Sequence, residues 1–365
     1  MSNYLKPFSA AREVVLPCLF LPSGTRLPAN VNERKNATEQ EASRLSRKML
    51  RVTPHILPSV ERAVSKACLN LRISRTKVHA FVSPNFGEVQ AVCWTVFDEP
   101  VVVFSSQIVE LMNEDELCFV AGHEIGHFLL PEAHFLKEDT CEGRIHSRAA
   151  ELSMDRIGTI ACGDPKAACN ASMKLMSGLK EPHLRTDVSA FLAEARNSFD
   201  GTFQSHEDAS HPPGQLRLWA IVQFSLTDAF LRPSGKSGGS PVDQINNAIA
   251  QRMHEQIDRH VIASFTEHTL MSKSWLYCLC RGHGSVIDLK TLNQFGTAVD
   301  TERLNRAWAS LSGFTPAQII EHAQMRLLKS LEQLQPKSPR TVKQLLELTA
   351  AEPSMKAIRH LIPLS

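Results

Sequence analysis

The spacing of apolar residues predicts strands in one short region of the chain and helices in most of the rest. The segments 77–83, 89–97 and 101–104 are short and rich in Val and aromatic residues, and turn-forming residues separate them, which is typical of a small sheet. The segment 58–71 before them has apolar residues at helical spacing, and 36–50 has the pattern of a polar, exposed helix. These patterns together predict an α+β fold.

Helical signals become stronger after the predicted strands. Asn113 is a favourable N-cap residue, Glu116 follows three positions later, and the apolar run 117–130 comes directly after them. A second strong helix is predicted for 144–162, before the breaker sequence that begins at Gly163. Further helices are predicted near 165–176, 187–198, 214–231, 242–268, 271–281, 287–296, 300–311, 315–334 and 339–350.

One segment, 232–241, has the composition of a linker, because it is rich in Gly, Ser and Pro and contains no large apolar residue. All patterns after it are helical. We therefore predict an N-terminal extension with a helix at 1–54, irregular over residues 1–35, then an α+β domain at 55–231, the linker, and an all-helical module of unknown role at 242–365.

Composition and charge narrow the classes of function. Hydrophobic residues make up 43% of the chain and charged residues 21%, as in ordinary soluble globular proteins. The net charge is only +2, from 40 basic and 38 acidic residues, so we expect no nucleic-acid binding and no attraction to anionic lipid. No stretch reaches the roughly 18 apolar residues of a membrane span, and no signal peptide is recognisable. A cytoplasmic location is therefore expected.

The nine cysteines are an odd number, and none of them form a Cys-x-x-Cys pair. We expect reduced thiols that pack as small apolar side chains. The stretch Trp275–His283 contains Cys278 and Cys280 and could suggest a metal cluster. Their one-residue spacing within an apolar helical run favours core packing instead.

The segment His123-Glu-Ile-Gly-His127 is the strongest candidate for chemistry. Residues four apart share a helix face, so His123 and His127 can bind one cation, and Glu124 lies about 100° round the helix, where its carboxylate can reach a metal-bound water. This is the pattern of zinc peptidases, in which the glutamate is the general base. A chance match is the alternative, but two histidines and a glutamate are costly inside an apolar helix. Gly122 and Gly126 weaken this helix and predict the close approach of another element.

A catalytic zinc needs a third protein ligand and an open position. The metzincin spacing is excluded, since the residues three and six positions after His127 are Leu and Ala. Glu151, on the next predicted helix, fits a gluzincin arrangement. Asp155 lies one turn later on the same face and can hydrogen-bond a ligand histidine, unless it is a surface charge paired with a Lys or Arg. Glu132 and Glu142 are alternative ligands that fall in the predicted connection between the two helices.

Three motifs that follow one another along the chain carry a resemblance to a known family: His-Glu-x-x-His at 123–127, Glu151-x-x-x-Asp155, and Ser210-His-Pro-Pro213 with Arg217 close behind. Together they resemble the HtpX and CAAX prenyl endopeptidase family of gluzincins, peptidase family M48, which also has soluble members called minigluzincins. The resemblance covers about residues 55–230. It implies a zincin-like fold with a small antiparallel sheet beside the active-site helix, one edge strand of which binds extended substrate.

The resemblance also implies further site residues. Gln90-Ala91 occupies the position of the family's Asn-Ala on the edge strand, and the change to Gln leaves the backbone role intact but puts the side-chain role in doubt. His211 would stabilise the tetrahedral intermediate and Arg217 would order the site, with an ordinary His-Pro turn before a helix as the alternative. The membrane-spanning helices of the family have no counterpart in this sequence, so prenylated or membrane-embedded substrates are not carried over.

These features predict a zinc-dependent endopeptidase that binds one Zn²⁺ per chain, uses Glu124 as general base and acts on protein or peptide substrates. One alternative is a zinc-stabilised scaffold or interaction protein, whose C-terminal helical module binds a protein partner. Another is a latent protease held inactive by its helical segments.

Overall fold

The structure is a computed structural model of the chain, and it describes residues 3–21, 47–84, 90–96, 98–134, 141–198, 211–254, 259–294, 297–335 and 338–350. Residues 36–46 of the predicted polar helix lie outside these ranges. The chain divides into two compact units. The first contains Met1–Leu136, Ile145–Gln204 and Ala209–Met253, and the second contains Lys137–Arg144, Ser205–Asp208 and His254–Ser365.

The first unit begins with three consecutive short helices, where the sequence had predicted irregular structure. They are a 3-10 helix at Asn3–Phe8, helix α1 at Ser9–Val15 and a 3-10 helix at Leu16–Cys18. The prediction was wrong because it gave weight to the prolines, although Pro17 lies at the start of its helix, where the missing N–H costs little. The apolar residues recur every three or four positions and are buried in the core, namely Leu5, Phe8, Ala11, Val15 and Cys18.

Four strands form one sheet: β1 at Leu50–Arg51, β2 at His79–Ser83, β3 at Ala91–Val96 and β4 at Glu99–Ser105. Their order is β1-β2-β4-β3. The strands β2 and β4 pair in parallel, whereas the other two pairs are antiparallel. The expectation of an antiparallel sheet was therefore wrong, and the sheet is mixed. The strand β4 has β3 along one edge, antiparallel to it, and β2 along its other edge. Since β2 and β4 run in the same direction, that pair is parallel.

Helices surround the sheet and form the core of the first unit. The helix α4 contacts α1, α2, α6 and the strands β3 and β4, so it occupies the centre of this unit. The predicted helix 214–231 is broken after Ser225, because the Thr227 side chain accepts a hydrogen bond from the Phe230 N–H and begins a new helix. The helices are α2 Pro58–Asn70, α3 Ser106–Leu111, α4 Glu114–Leu129, α5 Cys141–Cys162, α6 Pro165–Ser177, α7 Val188–Ser198, α8 Gly214–Ser225, α9 Asp228–Leu231 and α10 Val242–Met253.

The start of α4 confirms the predicted capping residues. The Asn113 side chain accepts a hydrogen bond from the Glu116 N–H at 3.0 Å, and the Glu116 carboxylate accepts one from the Asn113 N–H at 2.8 Å. Lys174 of α6 also binds the Glu116 carboxylate, at 2.7 Å. These contacts fix the N-terminal end of the helix that carries the His-Glu-x-x-His segment.

The helices α4 and α5 approach each other closely where both carry glycine. A Cβ added to Gly122 would lie 2.2 Å from the Ala161 Cβ, and one added to Gly158 would lie 2.7 Å from the Phe119 carbonyl oxygen. No side chain larger than hydrogen fits at these positions without displacing a helix. The prediction that the glycines of α4 allow the close approach of another element is confirmed.

The second unit consists of helices α11 Arg259–Gly282, α12 Leu289–Leu292, α13 Thr301–Ala309, α14 Pro316–Leu334 and α15 Pro339–Ala350. The long helix α11 packs against α13, α14 and α15. Cys278 and Cys280 are buried among leucines in this core, which confirms the core-packing interpretation of that stretch. The predicted break after residue 268 is absent, since Arg259–Gly282 is one helix, in which the hydroxyls of Ser272 and Ser274 bond to carbonyls one turn earlier.

The segment after the predicted linker lies in the first unit. Val242, the first residue of α10, packs against the first core, and the Arg252 guanidinium lies 4.3 Å from the centre of the Trp219 ring. The second compact unit begins at His254, whereas the sequence assigned the helical module to begin at 242. Independent folding of two domains remains a prediction.

The cysteines confirm another prediction. All eight cysteines whose side chains are described are free thiols, and all except Cys93 are buried. Burial raises the pKa of the Cys18 and Cys68 thiols to about 12. Thiols with such pKa values remain protonated at neutral pH and pack as apolar groups.

None of the helices within the described ranges has both the length and the apolar character needed to cross a membrane.

Candidate metal centre

The helix α4 brings three potential metal ligands together. The ligating atoms of His123, Glu124 and His127 all lie within 4.8 Å of one another. His123 and Glu124 are each 8% exposed, and the centres of the two imidazole rings are 5.0 Å apart. The three side chains therefore converge in a nearly dry part of the first unit, as expected for groups that hold a cation.

The helix α5 adds Glu151 to this group. One Glu151 carboxylate oxygen lies 3.4 Å from His123 Nε2, and the other lies 3.7 Å from His127 Nε2. Ligands about 2.0–2.1 Å from a tetrahedral zinc are separated from each other by about 3.3 Å, by simple geometry. The observed separations are near this value and exceed an ordinary hydrogen bond. Two imidazole nitrogens and this carboxylate therefore fit a zinc ion.

Asp155 orients His123 from the side opposite to Glu151. Its carboxylate lies 3.1 Å from His123 Nδ1, which leaves Nε2 directed towards Glu151. Asp155 is 1% exposed, so it is not the solvated surface charge that the sequence left open as an alternative. A carboxylate bound to the second ring nitrogen of a histidine fixes the tautomer that can bind a metal.

The helix α8 supplies a cation to the same cluster. Arg217 makes two hydrogen bonds to Asp155, from Nε at 2.8 Å and from a terminal nitrogen at 2.6 Å. His211 immediately precedes this helix, and its Nε2 lies 3.6 Å from a Glu151 oxygen while 63% of its side chain stays exposed. Ser210, the first residue of that motif, lies outside the described residues.

The charges of this cluster alter one another's protonation. Burial opposes the charged form of His123, but the carboxylates of Asp155 and Glu151 outweigh it and raise the pKa of His123 to about 10 in the metal-free protein. Burial also favours the neutral form of both carboxyls. Nearby cations outweigh this effect of burial. His123 holds the pKa of Glu151 well below its usual range, and Arg217 lowers the pKa of Asp155. Both carboxylates are thus ionised at neutral pH.

The edge of the sheet beside α4 is formed by β3, on which Gln90 and Ala91 were predicted to bind substrate. The Gln90 carbonyl accepts a hydrogen bond from the Ser105 N–H at 2.9 Å, so the backbone of Gln90 faces β4. Because backbone direction alternates along a strand, the N–H and C=O groups of Ala91, Cys93 and Thr95 point towards the outer side of β3. This is the side on which an added strand would pair.

Of the two alternative third ligands, Glu132 has another partner. Arg12 binds both of its carboxylate oxygens, at 2.5 and 3.2 Å, and also bonds to the Leu129 carbonyl. The sequence reading did not single out Arg12, although an arginine with apolar residues at helical spacing on both sides indicates a buried ion pair. The side chain of Glu142 lies outside the described residues.

Comparisons with known proteins relate part of this chain to peptidases. Residues 55–138 match the model of Peptidase family M48, a segment that includes α4 and β3 but ends before Glu151. The chain is also similar to Plastoglobule-localized metallopeptidase 48, chloroplastic, of Arabidopsis thaliana. The two are 28% identical over 158 aligned residues, which cover 35% of this chain and 46% of the relative. The match thus spans less than half of that protein. No solved structure matches the chain.

Family M48 consists of metallopeptidases, so the match suggests metallopeptidase activity, and the His-Glu-His cluster is a group that could hold a metal. The sequence resemblance to this family is thereby confirmed. Through residues 55–138, the chain is thus similar to peptidase family M48.

Proposed function

We propose that the first unit is a zinc-dependent endopeptidase that uses a glutamate as general base. The observation that carries this proposal is the convergence of His123, His127 and Glu151 around one point, with Glu124 beside them. The donor set of two imidazoles and one carboxylate is that of catalytic zinc sites, which keep a fourth position open. One zinc per chain is proposed because the described ranges contain one such cluster.

Glu151 is favoured over Glu132 as the third ligand. Its two oxygens face the two histidines separately, whereas both oxygens of Glu132 are bound by Arg12. To reach a metal, Glu132 would have to leave a largely buried guanidinium without its partner, which is costly.

When bound, zinc lowers the pKa of a coordinated water to about 7 and polarises a carbonyl group. Glu124 then accepts the proton of the attacking water and later transfers it to the leaving amine. Its position next to His123 on α4, within 4.8 Å of both histidines, supports this role. Asp155 and Arg217 hold the His123 ring so that Nε2 remains available as a ligand.

His211 is the candidate that stabilises negative charge in the transition state. Its Nε2 lies near Glu151, and most of its side chain faces solvent, so a substrate can reach it. A donor at this position would hydrogen-bond the developing oxyanion.

The edge strand β3 is the proposed substrate-binding element. An extended peptide would pair with the backbone of Ala91, Cys93 and Thr95, which gives affinity with little dependence on substrate sequence. Gln90 faces β4 instead, and its role is to fix the register of β3. The substrate is therefore proposed to be an unstructured segment of a protein or peptide.

Location and partners stay predictions. The name of the plant relative places that protein in the chloroplast, and a cytoplasmic location for this chain is a proposal from sequence. A protein partner for the second unit is likewise a proposal.

The test is a zinc analysis of the purified full-length protein together with degradation of an unstructured protein such as casein. We expect about one zinc per chain, cleavage that stops on addition of a chelator, and recovery when zinc is restored. Zinc without any cleavage would support a scaffold or a latent enzyme. A metal-free protein that cleaves casein would overturn the proposed site.

A further inference from the structure

We propose that residues 5–20, the N-terminal clamp, fix α4 and α5 relative to each other and thereby set the metal affinity of the site between them. Arg12 of the clamp and Ser153 of α5 are the positioning residues. This inference rests on the proposed metal centre, but it concerns a segment with no residue among the candidate ligands.

The first contact of the clamp is at the C-terminal end of α4. Arg12 donates to the Leu129 carbonyl, two residues after His127, and binds Glu132 just beyond the helix. The carbonyl groups at a helix C-terminus lack partners within the helix and carry partial negative charge, so a buried guanidinium stabilises this end. The Phe8 ring packs edge-on against Phe128, at 5.0 Å between ring centres.

The second contact is with α5. The Ser153 hydroxyl accepts a hydrogen bond from the Phe20 N–H at 2.9 Å and lies 3.3 Å from the Phe20 carbonyl oxygen. Ser153 is fully buried and comes two residues after Glu151. A shift of Phe20 therefore displaces the turn of α5 that carries the proposed third ligand.

Arg156 extends this contact to α8. Its guanidinium lies 5.2 Å from the centre of the Phe20 ring and 5.3 Å from that of Phe224, and it donates to the Cys18 carbonyl at 3.4 Å. Arg156 is 1% exposed. Because Phe224 belongs to the helix that carries Arg217, the clamp is linked to all three helices that surround the cluster.

The clamp and the metal site lie on opposite faces of α5. At 100° per residue, the direction shared by Glu151 and Asp155 differs by about 150° from the direction shared by Ser153 and Arg156. The clamp therefore contacts one face of α5, and the opposite face carries Glu151. Since the clamp also holds the end of α4, it opposes any separation of the two helices that would pull Glu151 away from His123 and His127.

Metal affinity should respond to this restraint, because coordination tolerates ligand displacements of only a few tenths of an ångström. Loss of a group that orients a metal ligand typically weakens metal binding about 10- to 100-fold. Arg12 acts through the helices and touches none of the three proposed ligands His123, His127 and Glu151, so we expect an effect near the lower end of this range.

The test measures zinc dissociation constants of the full-length protein by competition with a chelator, and the absorption spectrum of the cobalt-substituted protein. Arg12→Met should weaken zinc binding about 10-fold and alter the cobalt spectrum. Arg12→Lys keeps the charge but not the paired hydrogen bonds. Its zinc affinity should therefore lie between those of the wild type and Arg12→Met. The matched control is Arg62→Met, because Arg62 forms an exposed ion pair with Glu114 at the other end of α4, at 2.8 Å. This control should bind zinc as the wild type does.

An Arg12→Met protein that is folded and has the wild-type zinc affinity and cobalt spectrum would overturn the clamp and leave the proposed function standing. If Arg12→Met does not fold, Ser153→Ala tests the proposal instead. It should weaken zinc binding by about threefold or more. An unchanged zinc affinity in Ser153→Ala would overturn the proposal. A wild-type protein that binds no zinc would remove the proposed function and the clamp together.

Discussion

The two compact units differ most clearly in the ionisable groups that they bury. The described part of the first unit buries four groups of the metal site, His123, Glu124, Glu151 and Asp155, together with other charged side chains such as Arg156. The described part of the second unit buries a single charged side chain, Lys273, whose Nζ donates a hydrogen bond to the Thr297 carbonyl at 2.7 Å. Buried charge is unfavourable unless other groups compensate it. The difference therefore supports the proposal that the chemistry of this protein lies in the first unit.

The largest effect is expected from Glu124→Gln, which removes the proposed general base and keeps the size of the side chain. Cleavage of an unstructured peptide should fall about 100-fold or more, while zinc content stays unchanged. The measurements are initial cleavage rates and zinc per chain. Unchanged cleavage in the variant would remove the proposed mechanism.

The next largest effect concerns the third ligand. Glu151→Ala should lose most of its zinc, since it removes one of three protein ligands. Glu132→Ala is the comparison variant, since it removes a partner of Arg12 rather than a proposed ligand and should weaken zinc binding far less. Zinc analysis after dialysis against a weak chelator compares the two. Retention of zinc by Glu151→Ala and its loss from Glu132→Ala would reverse the ligand assignment.

A third prediction compares helix crossings in the two units. Gly122→Ala should lower the free energy of unfolding by about 1–3 kcal/mol. The new methyl group would overlap the Ala161 Cβ, so that α4 and α5 would have to move apart. Gly282→Ala is the counterpart in the second unit, where the nearest atom is the end of the Ile319 side chain at 3.0 Å. It should cost less than about 1 kcal/mol, since alanine also favours the helix. Urea titration measures both, and equal losses would contradict the comparison.

The smallest effect uses the buried lysine of the second unit. Burial lowers the pKa of Lys273 from 10.5 to about 8. Between these pH values the unfolded chain holds a proton that the folded chain has released, so the stability contributed by this group rises with pH. The melting temperature of the wild type relative to Lys273→Met should therefore increase from pH 8 to 10.5. A difference that stays constant over this range would show that burial does not shift this group.

Much of the fold could be predicted because local signals and tertiary structure agree. The capping residues Asn113 and Glu116 mark the start of α4, and the glycines of that helix indicate its close contact with α5. The parallel pairing of β2 and β4 could not be predicted, since strand order depends on contacts between segments that local patterns do not describe. The buried N-terminal segment was missed for a different reason, because its prolines outweighed the helical spacing of Leu5, Phe8 and Ala11.

In the candidate site too, some residues could be predicted from local patterns and others could not. The spacing of His123 and His127 gave their shared helix face, and the structure brings Glu151, Asp155, His211 and Arg217 to them from helix α5 and from around the start of α8. Arg12 and Ser153 were not found from the sequence. Their effect depends on a packing arrangement of distant segments, which the local pattern around either residue does not describe.

The central claim is that His123, His127 and Glu151 hold a zinc ion in the first unit. X-ray absorption at the zinc edge of the full-length protein tests it most directly. The account predicts only nitrogen and oxygen neighbours at about 2.0–2.1 Å, with the scattering pattern of two imidazoles. Sulfur at about 2.3 Å would show that cysteines bind the metal and would contradict the claim.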